Sequence, residues 1–183
     1  MTTELANLLV AVAALVTAAV SVYFTREGLK NQEKHNALSV VPVPFIALAD
    51  YENLIRVKIR NDGLGPLIVN GIDYEKAGAI NEFEELVQYL PPPPNALAWS
   101  NFSSGHVRSI RPGDELILIE ISLPGSDQLV DAFRNQLRWI LSQITISVRY
   151  TDVYANSFSA NTRELSFFAR RLASSKAQAK KNA

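Results

Sequence analysis

Two histidines, His35 and His106, and no cysteine are present among 183 residues, so few side chains can act as nucleophile or base near neutral pH. His106 ends the run Ser103-Ser104-Gly105-His106, the one place where an imidazole could take a proton from a hydroxyl. That chemistry needs a third group to orient the base, and a histidine in a turn is ordinarily solvated. His35 sits in a polar run with no such neighbours. A zinc site needs several ligands at fixed spacing, which two isolated histidines do not supply. Asp50, Asp62, Asp73, Asp114, Asp127 and Asp152 mostly adjoin turn residues, where carboxylates accept from backbone N–H groups, and no loop has the spacing of a calcium cage. The sequence therefore predicts no catalytic residue, no cofactor, no metal and no enzyme.

One glycine-rich loop, Asn61-Asp62-Gly63-Leu64-Gly65-Pro66, invites a phosphate-cradle reading. Its context is wrong: no Lys-Ser/Thr follows, and it joins two strand-like segments where a phosphate loop leads from strand to helix. A tight turn is predicted instead. Asn61 hydrogen-bonds the backbone that follows it, Gly63 and Gly65 take positive φ, and Pro66 fixes the exit.

Charge is balanced overall, 18 Lys and Arg against 18 Asp and Glu, which argues against a protein that coats nucleic acid. The balance is uneven along the chain. Residues 37–168 hold 10 Lys and Arg against 15 Asp and Glu, a net of −5, while residues 169–183 hold Arg170, Arg171, Lys176, Lys180 and Lys181 and no acid. Near an anionic leaflet each such cation contributes about 1 kcal/mol of attraction, although a basic terminus is equally at home in water with no target. Arg56, Lys58 and Arg60, alternating along one strand face, carry the same two readings: lipid headgroups or an acidic partner, or plain solvent.

Residues 5–25 contain no charge, and at about 1.5 Å per residue a helix of that length reaches about 31 Å, the thickness of a bilayer's hydrocarbon. The run is apolar on every face and too long for a core helix or the apolar part of a signal peptide, so a membrane span is predicted. No Lys or Arg precedes it, whereas Arg26, Lys30 and Lys34 follow, which predicts an outside N-terminus and a cytoplasmic C-terminal domain. Tyr23 and Phe24 lie where an interfacial aromatic belt would be. Ala13, Thr17 and Ser21, with Ala14 and Ala18 beside them, leave room for a partner helix, though alanine-rich spans also occur without one. The chain is thus parsed as a flank at 1–4, a span at 5–25, a polar stalk at 26–36, a domain at 37–168 and a basic flexible tail at 169–183.

Within the domain, Ile55, Val57 and Ile59 alternate with Arg56, Lys58 and Arg60 as in a half-buried strand. Pro42 and Pro44 push the preceding segment to a sheet edge. Ile80, Phe83, Leu86, Val87 and Leu90 fall at helical spacing ahead of four prolines, 91–94, that form a stiff extended connector. The apolar run ELILIEISL predicts a central strand covered on both sides. Ser126 caps a second helix whose stripe is Leu129, Val130, Phe133, Leu137, Ile140 and Leu141, with Asp131, Arg134 and Arg138 facing water. Ile144, Ile146, Val148 and Tyr150 point inward from a strand whose hairpin partner follows Asn156. About seven strands result. The predicted fold is mainly β: an N-terminal transmembrane helix, then a small antiparallel, Ig-like β-sandwich with two helical insertions.

Three landmarks, His35-Asn36-Ala37-Leu38-Ser39-Val40-Val41-Pro42, Asn61-Asp62-Gly63-Leu64-Gly65-Pro66-Leu67 and Tyr150-Thr151-Asp152-Val153-Tyr154-Ala155-Asn156, resemble those of an uncharacterised bacterial family of small, single-pass membrane-anchored β-sandwich proteins. The family motifs read His-Asn-x-Leu-Ser-Val-x-Pro, Asn-x-Gly-x-Gly-Pro and Tyr-x-Asp. The likeness runs from the span to about Phe168. This chain departs from it with Ala37 and Val41 at positions usually basic, Leu67 for alanine, and Ala155 where glycine is common. The landmarks are structural, and the resemblance implies no activity.

Together these readings predict a membrane-anchored, non-enzymatic interaction module, a scaffold or sensor at the bacterial inner membrane. The alternatives are a structural accessory subunit of a larger membrane complex or, from another class, a hydrolase or ligand-binding enzyme. The expected partners are the lipid bilayer and one or more proteins, membrane proteins or a second copy among them, and not nucleic acid.

Overall fold

A computed structural model of the chain describes residues 3–94, 97–102, 108–123, 125 and 127–172. It divides into two units, Met1–Ser39 and Val40–Ala183.

The first unit is one helix, α1 (Thr3–Ser39), of 37 residues and about 56 Å, none of them buried. It is long and apolar enough to cross a membrane. The polar residues 26–36 continue it without a break. Thr17, Ser21 and Thr25 donate to the carbonyls of Ala13, Thr17 and Ser21, each at 2.8 Å, so these hydroxyls are satisfied inside the helix.

The second unit is built from antiparallel strands: β1 (Pro44–Asp50), β2 (Leu54–Asn61), β3 (Leu67–Lys76), β4 (Ala79–Glu82), β5 (Asn101–Phe102), β6 (Arg108–Ile110), β7 (Glu115–Ser122), β8 (Ile144–Thr151) and β9 (Asn161–Glu164), with α2 (Gln128–Leu141) between β7 and β8. One sheet runs β1-β2-β7-β5, the other β4-β3-β8-β9, and β6 joins the second by pairing with the start of β3. Nine described strands replace the seven expected. Among the described residues helix accounts for 41% and strand for 34%, so "mainly β" fits the second unit and not the whole. The inward residues of both sheets, Ile55, Val57 and Ile59 on β2 and Ile144, Ile146 and Val148 on β8 among them, belong to one buried cluster. The hairpin of β8 with β9 forms as predicted, with Val148 opposite Asn161.

Three local expectations fail, and a fourth falls on a residue outside the described ones. Residues 83–89 wind as a 3₁₀ helix, Phe83–Tyr89, which at three residues per turn buries Phe83 and Leu86; Ile80 belongs to β4 and is exposed. The run ELILIEISL owes its continuity to a β-bulge. Pairing with β2 skips from Ile117 to Ile119, so Leu118 and Ile119 both point inward and the alternation changes phase between them. In α2, Phe133, Leu137, Ile140 and Leu141 are buried as predicted and Val130 packs against them, but Leu129 is exposed and Arg134 and Arg138 are buried with them. Ser126 lies outside the described residues, and the N-cap is Asp127, whose side chain makes no capping bond.

Antiparallel pairing gives this unit two ends. At one, β2 turns into β3, β6 into β7 and β8 into β9. At the other, β1 turns into β2, and α2 carries the chain from β7 to β8.

Candidate functional site

The first end is organised by one buried side chain. Asn61 closes β2 with its amide turned inward: Nδ2 donates to the carbonyls of Gly65 (2.7 Å) and Ile110 (3.0 Å), and Oδ1 accepts from the backbone N–H of Gly63 (3.0 Å) and Val43 (3.3 Å). Its own N–H donates to Asp114 O and its carbonyl accepts from Gly113 N. Every polar atom is used, as burial demands. Three separate stretches, 40–43, 61–66 and 110–114, are thereby tied together, and the first of them begins one residue past α1.

Gly63 and Gly65 are required here, but not for the predicted reason. Among the described residues the glycines with positive φ are Gly78, Gly113 and Gly125. What Gly63 and Gly65 provide is space. A Cβ on Gly63 would run into the backbone of residues 41–43, coming within 2.7 Å of Pro42 C, and one on Gly65 would overlap the Val40 carbonyl. The lead-in segment lies directly on the backbone of this loop, and Pro66 passes the chain into β3. The two landmark motifs, separate in sequence, are two halves of one clamp.

Beside it, Asp152 accepts from the N–H groups of Tyr154 and Asn156, both at 2.9 Å, and from Asn156 Nδ2 at 2.8 Å. Burial pushes its carboxyl up, but the donations from Asn156 and Tyr154 outweigh burial and hold it below the usual carboxylate value. Ala155, at the position where glycine is common in the resembling family, has φ +61°.

The other end is held by charge. Asp50 closes β1 on the same face as Ile46 and is 2% exposed; its Oδ1 accepts from Arg138 Nε (3.1 Å) and NH2 (2.7 Å) of α2. Oδ2 has no hydrogen-bond partner among the described residues, and Arg171 Nε stands 4.0 Å from it. Arg134 pairs with Asp131 and donates to the Gly125 carbonyl, lining a cleft of about 490 Å³ with Glu52, Asn53 and Leu123. Two carboxylates beside one guanidinium give this cleft no net attraction for an anion. Sequence reasoning missed this cluster. The signal it offered was the period of β1, which puts Asp50 inward where only a cation from elsewhere can neutralise it.

The predicted surface cations are all occupied where described. Arg56 pairs with Glu120, Lys58 with Glu115 at 2.5 Å, and Arg60 with Asp62 at 2.5 Å, so the basic face of β2 is an ion-pair row. The bond from Arg60 lowers the Asp62 carboxyl. Arg170 lies 3.5 Å over the Phe167 ring, and Arg171 faces Asp50. Lys176, Lys180, Lys181 and His106 fall outside the described residues. Ala13, Ala14, Thr17, Ala18 and Ser21 share the exposed surface of α1. Among the described residues, no group of three or more His, Asp or Glu side chains converges as metal ligands do. No protein-family model matches the chain, and no curated protein matches it.

Proposed function

We propose that the chain is a membrane-anchored, non-enzymatic interaction module, a scaffold or sensor in which residues 5–25 span a bacterial inner membrane and an Ig-like β-sandwich is presented to the cytoplasm. One observation carries this reading: an uncharged helical run leads, one residue past the end of its helix, into a segment clamped by Asn61, Gly63 and Gly65. Such a junction suits a domain whose position matters more than turnover. The sandwich reading is supported by strand order. β1-β2-β7-β5 follows the A-B-E-D sheet of immunoglobulin-type domains and β4-β3-β8-β9 follows C′-C-F-G, over a shared core. The cytoplasmic assignment is supported by Arg26, Lys30 and Lys34 on the C-terminal side of the span, and the bacterial setting by the resemblance of the three landmarks.

The test is flotation of the full chain with membranes after alkaline extraction, protease treatment of sealed vesicles of both orientations, and crosslinking in native membranes. The reading expects co-flotation, digestion of the β unit only from the cytoplasmic face, and a crosslinked protein partner. Recovery of intact chain in the soluble fraction, or digestion from the outer face, overturns it.

A further inference from the structure

On the outer face of the β4-β3-β8-β9 sheet, pairing aligns two rows of side chains across the strands: Glu82-Asp73-Ser147-Thr162 and Ile80-Glu75-Thr145-Glu164. All of these but Glu82 and Glu164 line a groove of about 250 Å³. Its polar side chains are carboxylates and hydroxyls, so it is rich in acceptors. Arg149, from the neighbouring position on β8, is drawn onto Asp73 at 2.8 and 3.2 Å. Glu75, Glu82 and Glu164 have no ion pair among the described residues, and Glu82 stands directly opposite Asp73, where like charges repel. Ile80, 74% exposed, adds an apolar wall. An aliphatic stem ending in an ammonium suits such a groove, with methylenes along Ile80 and three N–H donors among the oxygens. That is the chemistry of lysine.

We propose that the groove takes lysine side chains from residues 173–183 of the same chain. The route is short. Glu164 closes β9 on this face, opposite Thr145, and eight residues later the described chain ends at Leu172. Arg171, next to that end, already faces a carboxylate of the β unit, the buried Asp50 at 4.0 Å. Lys176 follows Leu172 by four residues and Lys181 by nine, a reach of up to about 30 Å, whereas four strands span about 14 Å. Residues 173–183 hold three lysines and no acid, against a net of −5 over residues 37–168. A free basic peptide would bring the same charges without the tether, which raises the effective concentration of this segment at the groove to the order of millimolar. The tether selects the occupant. In a membrane-anchored chain the docked lysines are withheld from an anionic leaflet, so the face and the bilayer compete for one set of cations.

The full-length chain in neutral maltoside micelles is treated with a water-soluble carbodiimide, which joins a carboxylate to an amine in contact with it, and the new amide bonds are mapped by mass spectrometry. Lys58 and Glu115, paired at 2.5 Å, are the internal control. The expected bonds join Lys176, Lys180 or Lys181 to Asp73, Glu75 or Glu164 within one chain, in a yield unchanged by tenfold dilution. Trypsin then cuts after Lys176 at least about fivefold faster in the E75Q/E164Q variant than in the parent at low salt, and the two rates converge at about 0.5 M salt. Both glutamates are exposed, so the variant keeps the fold. Coupling of Lys58 to Glu115 with no bond from residues 173–183 to this face overturns the proposal. A yield that falls on dilution assigns the lysines to a second copy and overturns it as well. So does cleavage that is indifferent to E75Q/E164Q in micelles and slows only when phosphatidylglycerol vesicles are added, which assigns the segment to the bilayer.

Discussion

The two ends of the β unit solve the same problem, burying polar side chains, by opposite means. At the clamp, Asn61 and Asp152 are satisfied almost wholly by backbone groups close in the chain or in adjoining turns. Under α2, Asp50 Oδ1 is satisfied by a guanidinium 88 residues away. The first device is geometric and tolerates no added atom. The second is electrostatic and tolerates no missing partner. This difference sets what substitution does at each end and how visible each end is in the sequence.

The largest effect is expected at the geometric end. Gly65→Ala places a methyl group on the Val40 carbonyl, where no flexible side chain can yield. A loss of about 4 kcal/mol or more follows, measured by denaturant unfolding of the full chain in micelles. A variant as stable as the parent would show that the lead-in segment is not seated on this loop. Next is the electrostatic end. Arg138→Met leaves the Asp50 carboxylate buried without its two charge-assisted bonds and costs about 3–5 kcal/mol, whereas Asp50→Leu combined with Arg138→Met restores most of the loss. A double variant no better than Arg138→Met alone would mean that α2 is not held by this pair.

What could be read in advance divides along the same line. Local devices were legible. The 5–25 run, the alternation of β2 and the β8–β9 hairpin each express a period or a turn within about 20 residues. Even there the reason can differ: the sequence puts Gly63 and Gly65 in the right turn but suggests positive φ where the structure needs space, because a dihedral is a local property and a close approach by Val40 is not. Devices that join distant segments were not legible. Arg134 and Arg138 read as solvent-facing since nothing near them in sequence is an acid at a buried position, and the bulge at Leu118 was hidden because an unbroken apolar run fits two-sided burial equally well. The ion-pair row shows the same limit, with Arg56 and Glu120 adjacent in space and 64 residues apart in the chain.

The comparison sharpens further at Asp152, an ionised group at the geometric end whose carboxyl is held by backbone. Its folded-state pKa lies below the ordinary value of 3.8. Between the two values the unfolded chain binds more protons, so stability rises with pH there. The contribution is complete above pH about 3.8 and is lost as pH falls through the lower folded value. Asp152→Asn keeps the acceptor for the Tyr154 and Asn156 amides but sets a donor against Asn156 Nδ2, costing about 1–2 kcal/mol at neutral pH. Its unfolding midpoint then falls less steeply than the parent's between pH 5 and 2. Parallel acid slopes for the two proteins would remove Asp152 from the account.

The smallest effect has the opposite sign and is the most discriminating. Ala155 holds φ +61°, a conformation that places its Cβ near the following carbonyl and costs an L-residue about 1–2 kcal/mol. Ala155→Gly relieves that strain and gives back part of the gain through the freer unfolded chain, leaving about 0.5 kcal/mol of stabilisation and a midpoint about 1–2 °C higher. Alanine and glycine are thus exchanged in opposite directions at two loops of the same end. At Gly65, where φ is ordinary, the limit is the space left by Val40, and the methyl group cannot be accommodated. At Ala155 the limit is the dihedral, and removing the methyl group helps. If Ala155→Gly destabilised the protein, the methyl group would have to be making contacts worth more than its strain, and the turn at Asp152 would be held by packing and not by the hydrogen bonds that converge on its carboxylate.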